Sequence, residues 1–337
     1  MSRPTHALID PSALQHNLNI VRQHAPNAKI MAVIKANAYG HGFLQTAQAL
    51  RQAEGFALLE LDKAIKLRQE GFKQTILLLE GFFSASEIPS FEQYQLTAVI
   101  HQSNQIEMLA QSTCQNLDVF VKINSGMNRL GFAPTEFPKV MHALNINKGI
   151  KHITLMTHFS SAGDTAGDQQ FNQQFDCFNN TTTGYQLPCS LANSAAILRY
   201  PETHANWVRP GIMLYGASPL ENKTSEELGL QPVMTISSKI ISIQHINRGD
   251  KVGYSGLYQA DQPLRIGIVA FGYADGYPRH APTGTPVLVN GQHSYIVGRI
   301  SMDMLAVDIT AIIDAAIDTI ITAPADISLI NPIFRFC

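Results

Sequence analysis

Residues 32–42 read AVIKANAYGHG. An apolar run over 30–34 stops abruptly at Lys35, and small residues, a tyrosine and two glycines follow at once. The run has the length and branching of a buried strand. A charged amine is thus brought to the mouth of that strand, with a Gly-rich turn laid beside it.

Seven more apolar runs follow, at 55–59, 75–79, 96–100, 117–123, 153–157, 189–192 and 207–214. Amphipathic stretches or long loops separate them. In DKAIKLRQEG, Ala64, Ile65 and Leu67 share one helical face ahead of Gly71, and in QSNQIEMLAQS Ile106, Leu109 and Ala110 do the same. Strands that alternate with helices demand a parallel sheet, because each crossover returns the chain to the same end. Eight such units close most simply into a (β/α)8, or TIM, barrel. The competing doubly wound open sheet lacks its signature, since no G-x-G-x-x-G turn follows the first strand.

The character changes after about Leu220. MTISSKIISIQHI, KVGYSGLY, LRIGIVAFGY, TPVLVNGQHSYIVGR and MLAVDIT read as short strands between Gly, Pro and Asn-Gly turns. Val289-Asn290-Gly291-Gln292 is a hairpin signal, because Asn-Gly supplies the positive φ angles of a type I′ turn. The expected organisation is a barrel over 11–222 and a mostly antiparallel β-domain over 223–337, joined by an N-terminal strand within 1–10 (THALID).

Bulk properties narrow the function. The chain has 337 residues, 45% hydrophobic, with a net charge of −2, enough for a large core and about two domains. It shows no basic stripe for nucleic acid and no run of membrane-spanning length. The opening MSRPTHALID has no apolar stretch of the kind a signal peptide needs, so none is expected there. Four scattered cysteines, Cys114, Cys177, Cys189 and Cys337, read as reduced thiols, with no metal site expected. These features describe a cytoplasmic enzyme of small molecules.

In a (β/α)8 barrel, reactive groups sit at the C-terminal ends of the strands. Lys35 ends the first strand here, Lys122 and Arg129 the fifth, His158 the sixth, Asn193 and Ser194 the seventh, and Arg209 sits in the eighth. Taken singly, each has a plain explanation: a solvated strand-end lysine, a hydrogen-bonded histidine, an arginine paired with a buried carboxylate. Their convergence on one rim does not. Val208-Arg209-Pro210-Gly211-Ile212 puts a glycine where backbone N–H groups can approach an anion, and Ser194 stands at a helix start. A lysine amine, a phosphate cradle and an arginine on one barrel mouth suit pyridoxal 5′-phosphate (PLP), which forms a Schiff base with lysine.

These residues resemble the alanine racemase family. The resemblance covers roughly residues 6–310 and runs in order through AVIKANAYGHG, VKINSGMNRLGF, THFSSA, ANSAA, VRPGIMLYG, GYSGLY, FGYADGYPR and GRISMDM. It implies that Lys35 carries PLP as an aldimine, with Tyr39, Ser194, Gly211 and Ile212 around the phosphate and Asn193 beside them. It implies that Arg209 faces the pyridine nitrogen and that His158 orients Arg209 and Tyr254. An arginine there does not readily give up its proton, so the ring nitrogen stays unprotonated and the electron sink is weaker. Lys35 and Tyr254 become the two proton-exchanging groups, and Tyr254 reaches the site from a partner subunit, so a homodimer with composite sites follows. Arg129 holds the substrate carboxylate. Tyr273, the Met302 backbone and Asp303 complete a wall that limits the pocket to alanine. Lys122 matches the family's carbamylated lysine, and an unmodified strand-end lysine is the alternative.

The implied reaction is interconversion of L- and D-alanine, supplying peptidoglycan or degrading D-alanine. Past about Thr310 the family's last strands and late phosphate-binding tyrosine are not recognisable, and no tyrosine follows Tyr295. A truncated or frame-altered, poorly packed tail with reduced cofactor occupancy is the expectation. The alternatives are a broad-specificity amino-acid racemase, which resembles secreted proteins, and a PLP-binding protein whose turnover the tail impairs. A PLP-dependent decarboxylase is less apt, because no cysteine lies between Cys189 and Cys337. A non-catalytic PLP-carrying barrel would lack residues 224–310.

Overall fold

The computed structural model describes residues 3–323. They form two units, Pro11–Gln231 and the combination of 3–10 with 232–323. The barrel unit, expected to end at 222, runs on to Gln231. Asn17, on the helix Pro11–His24, donates to Gln231 O at 2.7 Å and accepts from Gln231 N at 2.8 Å, which ties this stretch to the barrel.

The N-terminal strand is β1 (His6–Ile9), and the barrel comprises β2 (Lys29–Val33), β3 (Gly55–Leu58), β4 (Thr75–Leu78), β5 (Thr97–Ile100), β6 (Leu117–Lys122), β7 (Ile150–Met156), β8 (Cys189–Ser190) and β9 (Trp207–Val208). Each barrel strand pairs in parallel with the next, and β9 closes on β2 through Lys29↔Trp207 and Ile30↔Val208. Met31, Val33, Ala57, Leu77, Val99, Phe120, Met156 and Trp207 pack together as one buried cluster. Their neighbours Ile30, Ala32, Phe56, Ile76 and Ala98 are buried as well. Burial on both faces is why the strands read as unbroken apolar runs. Gly55 is required by packing: a Cβ there would meet Met31 Sδ at 2.6 Å.

The expected strand ends need correction. The seventh run stops at Ser190, because Asn193 already caps the helix Ser194–Arg199. The eighth stops at Val208, since Pro210 has no N–H for a ladder and residues Ile212–Tyr215 form a 3-10 turn. Arg209 therefore lies just past its strand. In the helix Ser103–Gln111, Ala110 is exposed and Gln105 buried instead, its amide donating to the carbonyls of Glu80 and Phe82.

The second unit holds a seven-stranded antiparallel sheet, which includes β1, and a separate two-stranded ribbon. Its elements are β10 (Met234–Ile246), the small ribbon β11 (Lys251–Val252) and β12 (Tyr258–Gln259), then β13 (Leu264–Val269), β14 (Pro286–Val289), β15 (Gln292–Tyr295), β16 (Leu305–Asp308) and β17 (Ile320–Ala323). β1 pairs with β10, as the THALID stretch suggested. Asn290 (φ 49°) and Gly291 (φ 76°) form the two-residue turn between β14 and β15. The tail is better ordered than expected. Ile312, Ala315 and Ile321 are buried, Arg265 donates to the carbonyls of Ile312 and Ala315, and β17 pairs with β10 and β14. The rest of the expectation about the tail falls on 324–337, outside the described residues.

Candidate active site

Lys35 stands two residues beyond β2, at the head of a turn whose next four residues, Ala36 to Tyr39, have φ of 53–55°. It is half-buried. The residues that follow the other strands gather around the same mouth.

Arg209 is buried and held at several points. It donates to Ser190 Oγ (2.6 Å), the carbonyls of Thr157 (2.6 Å) and Leu191 (3.2 Å), and His158 Nδ1 (3.3 Å). These partners are neutral, so the guanidinium is fixed by geometry rather than by a buried carboxylate. Burial lowers its pKa to about 10. His158 accepts through Nδ1, which leaves the ring neutral, and burial followed by Arg209 and Lys122 holds its pKa well below the usual histidine value.

Lys122 ends β6 with 8% of its surface exposed. Burial first, then the charges of Arg209, Arg129 and Lys35, bring its pKa down to about 8, and Glu80 opposes them. Arg129 is exposed on the loop after β6. That loop is shaped by Asn124, whose Oδ1 accepts from the N–H groups of Gly126 (3.2 Å) and Asn128 (2.9 Å). It closes where Phe132 N donates to Lys122 O, and a Cβ at Gly131 would strike Asn124 N at 2.7 Å.

A small polar cradle lies between the ends of β8 and β9. Ser194 Oγ is buried and accepts from Gly211 N at 2.9 Å. A Cβ at Gly211 would come within 2.5 Å of Tyr39 Oη. Two hydroxyls and a backbone N–H thus converge at the one residue that leaves room for them. Ile212 opens the adjoining 3-10 turn. Asn193 contributes by capping: its Oδ1 accepts from Ala196 N (3.1 Å) and its amide donates to Phe159 O (3.0 Å).

The remaining predicted residues lie in the β-domain unit. Tyr254 is 67% exposed on a tight turn between β11 and β12, beside Gly253 (φ 72°) and Ser255 (φ 64°). Tyr273, Met302 and Asp303 come together: Tyr273 N donates to Ser301 O (3.1 Å), and Ala274 N to Met302 O (2.8 Å). A Cβ at Gly272 would meet Met302 O and Asp303 N at 2.5 Å, so only glycine permits that contact. Arg3 pins both sides, bonding Asp275 at 2.8 Å and Asp303 O at 3.0 Å.

Known proteins with the same pattern decide the family. The model of the alanine racemase N-terminal domain matches residues 9–219, and that of the C-terminal domain matches 233–327. The chain belongs to the alanine racemase family. The C-terminal match runs past residue 310, where the sequence resemblance was expected to end. An alanine racemase from Nitrosospira multiformis is 59% identical over 323 residues, which is 96% of this chain and 90% of that protein. A catabolic alanine racemase from Salmonella typhimurium is 48% identical over 95% of this chain and 89% of its own length. The biosynthetic alanine racemase from Pseudomonas aeruginosa superposes with a TM-score of 0.91 at 41% identity, covering 95% of this chain and 90% of that one. Alanine racemases depend on PLP, and the cradle at Gly211 together with a cationic rim suits a phosphorylated, anionic cofactor.

Sequence reasoning about this alanine racemase missed several supporting side chains. Ser190, through its hydroxyl, holds Arg209 together with the backbone carbonyl of Thr157, and neither carries a local signal, being ordinary polar residues at strand ends. Asn124 was identifiable from the N-S-G-M-N turn chemistry. His41 and Tyr215 lie inside quoted motifs without an assigned role.

Proposed function

We propose that this racemase interconverts L- and D-alanine with PLP attached at Lys35 and exchanges the Cα proton between Lys35 and Tyr254. One observation carries the cofactor assignment. Tyr39 Oη, Ser194 Oγ and Gly211 N converge on a barrel mouth where Lys35, Lys122, Arg129 and Arg209 supply positive charge. Tyr39, Ser194, Gly211 and Ile212 would hold the phosphate, with Asn193 fixing the helix that carries Ser194. When bound, the cofactor supplies a conjugated ring that takes up the electron pair left on Cα.

The protein's own groups do the rest. Inversion needs a proton removed from one face of Cα and another delivered to the opposite face, so two groups are required. The Lys35 amine serves one face. The Tyr254 phenol, presented by a partner subunit, serves the other. Its 67% exposure in a single chain supports a role in a composite dimer site. Arg129 binds the substrate carboxylate, while Tyr273, the Met302 backbone and Asp303 form the wall that admits a methyl side chain. Arg209, fixed through Ser190, Thr157, Leu191 and His158, would face the cofactor's ring nitrogen and, as a guanidinium, would keep its own proton there.

Lys122 is the proposed carbamate. A lysine with a pKa of about 8 exposes a neutral amine near physiological pH. That amine can add CO2 and release a proton, turning a charge that repels Arg129 into one that attracts it. No helix among the described residues is long and apolar enough to cross a membrane, and we place the enzyme in the cytoplasm. The relatives include biosynthetic and catabolic enzymes, so D-alanine is either supplied or consumed.

The test is incubation with L-alanine and PLP in D2O, following optical rotation and Cα deuterium. Loss of rotation with deuterium at Cα is the expected result for alanine, with lysine and arginine inert. Absence of exchange refutes the reading, and turnover of lysine or arginine refutes the alanine-sized pocket. Sedimentation reports the dimer.

A further inference from the structure

From Ala36 to Gly42 every residue except one has a positive φ: Ala36, Asn37, Ala38 and Tyr39 at 53–55°, and Gly40 and Gly42 at 86°. Left-handed backbone is unfavourable wherever a Cβ is present and persists only when its surroundings over-determine it. The exception is His41.

His41 is buried, and its Nδ1 lies 3.0 Å from Ala38 O and 2.9 Å from Tyr39 O. Carbonyls only accept, so Nδ1 carries the proton and the imidazole is a neutral donor to the turn itself. Nε2 is buried without a hydrogen-bond partner among the described residues. A second proton there would be an unpaired buried charge, and burial accordingly lowers the pKa of His41. The ring also leans on Tyr215 (centroids 4.7 Å apart, 37° between planes). Tyr215 stacks on Tyr39 at 4.6 Å and anchors its own hydroxyl on Val33 O, in β2, at 2.9 Å. Tyr39 in turn points its hydroxyl at Gly211.

We infer that His41 is a positioning residue: it clamps the carbonyls of the left-handed turn and, through Tyr215, the ring of Tyr39, and so aims the Tyr39 hydroxyl at the phosphate seat. The inference rests on the reading of Tyr39, Ser194 and Gly211 as that seat. His41 acts through the turn and the Tyr39 ring, the groups it contacts directly or through Tyr215, rather than on the ligand. Its effect is therefore specific to ligands that carry the phosphate.

Affinities of the cofactor-stripped enzyme for PLP and for pyridoxal, which lacks the phosphate, test this through the cofactor's visible absorbance. His41→Phe keeps a ring and loses the donor. It is expected to weaken PLP binding about tenfold or more, the equivalent of one misplaced hydrogen bond to a charged group, while pyridoxal binding stays within about twofold. His41→Asn, which presents an N–H where Nδ1–H stood, is expected to restore most of the PLP preference. In a Tyr39→Phe background, His41→Phe should cost no more. Equal losses for PLP and pyridoxal overturn the inference, as do losses that multiply in the double variant. If Tyr39→Phe weakens PLP and His41→Phe does not, the inference fails alone. If Tyr39→Phe itself leaves the preference intact, the phosphate-seat reading fails and takes the inference with it. Should His41→Phe not fold, His41→Gln replaces it, since its amide falls at the Nε2 end of the ring.

Discussion

Replacing Lys122 with methionine is expected to stabilise the cofactor-free protein near neutral pH. Methionine keeps the length of the side chain and removes its charge. Lys122 is 8% exposed, and burial together with Arg209, Arg129 and Lys35 brings its pKa from 10.5 to about 8. Between those values the unfolded chain holds the proton and the folded chain does not, so folding grows more favourable as pH rises through that window. Below pH 8 the penalty stands in full. A gap of about 2.5 at roughly 1.4 kcal/mol per pH unit makes roughly 3 to 4 kcal/mol. Urea unfolding of the parent and of Lys122→Met in CO2-free buffer measures it, because the difference between the two cancels groups they share. The expected gain is roughly 3 to 4 kcal/mol near pH 7, shrinking toward zero above about pH 10.5. Bicarbonate should then stabilise the parent and leave Lys122→Met unmoved. A variant no more stable than the parent at neutral pH, or a gain that stays constant with pH, refutes the reasoning.

Other consequences concern single sites. Tyr254→Phe should retain cofactor absorbance while alanine racemisation and deuterium uptake fall by about two to four powers of ten, the usual worth of a general acid–base group; normal racemisation would exclude a two-group mechanism through Tyr254. Gly211→Ala sets a methyl 2.5 Å from Tyr39 Oη, roughly 1 Å inside ordinary contact, so the hydroxyl must retreat and PLP affinity should drop by about one to two powers of ten in an absorbance titration. Arg68 donates to the carbonyls of Phe72, Gln74, Tyr94 and Gln95 at 2.8–2.9 Å and so joins the loops ahead of β4 and β5. Arg68→Leu should cost roughly 2–4 kcal/mol in denaturant unfolding while leaving turnover per folded molecule unchanged.

Much of the architecture was legible because its signals are local. Unbroken apolar runs with intervening amphipathic helices mean parallel strands buried on both sides, and eight of them close a ring. Asn290-Gly291 announced its hairpin through φ angles that few other pairs adopt. The order of polar residues along the chain also ranks them by strand, which assigns Lys35, Lys122, His158, Ser194 and Arg209 to strand ends from the sequence alone. Strand ends were harder. Whether 207–214 continues as a strand depends on Pro210 and on the turn that Ile212–Tyr215 makes, and neither alters the apolar appearance of the stretch. The tail misled for a related reason: Ile312, Ala315 and Ile321 are spaced by turns rather than by a strand or helix period, and only the sheet they pack on gives them a place.

The sequence by itself determined the ring of strands, the β-domain that follows and the chemical types offered at the barrel mouth, because periodicity and turn chemistry act over a few residues. Only the tertiary structure decided how those groups are held. The left-handed path of Ala36 to Tyr39 runs against the local preference of its two alanines and its tyrosine, and His41 bonds its carbonyls while Tyr215, far along the chain, stacks on Tyr39. Arg209 is likewise aimed by Ser190, Thr157, Leu191 and His158, which meet it only once the barrel has closed. Strain and buried charge need many partners at once, and partners distant in sequence are supplied by packing alone.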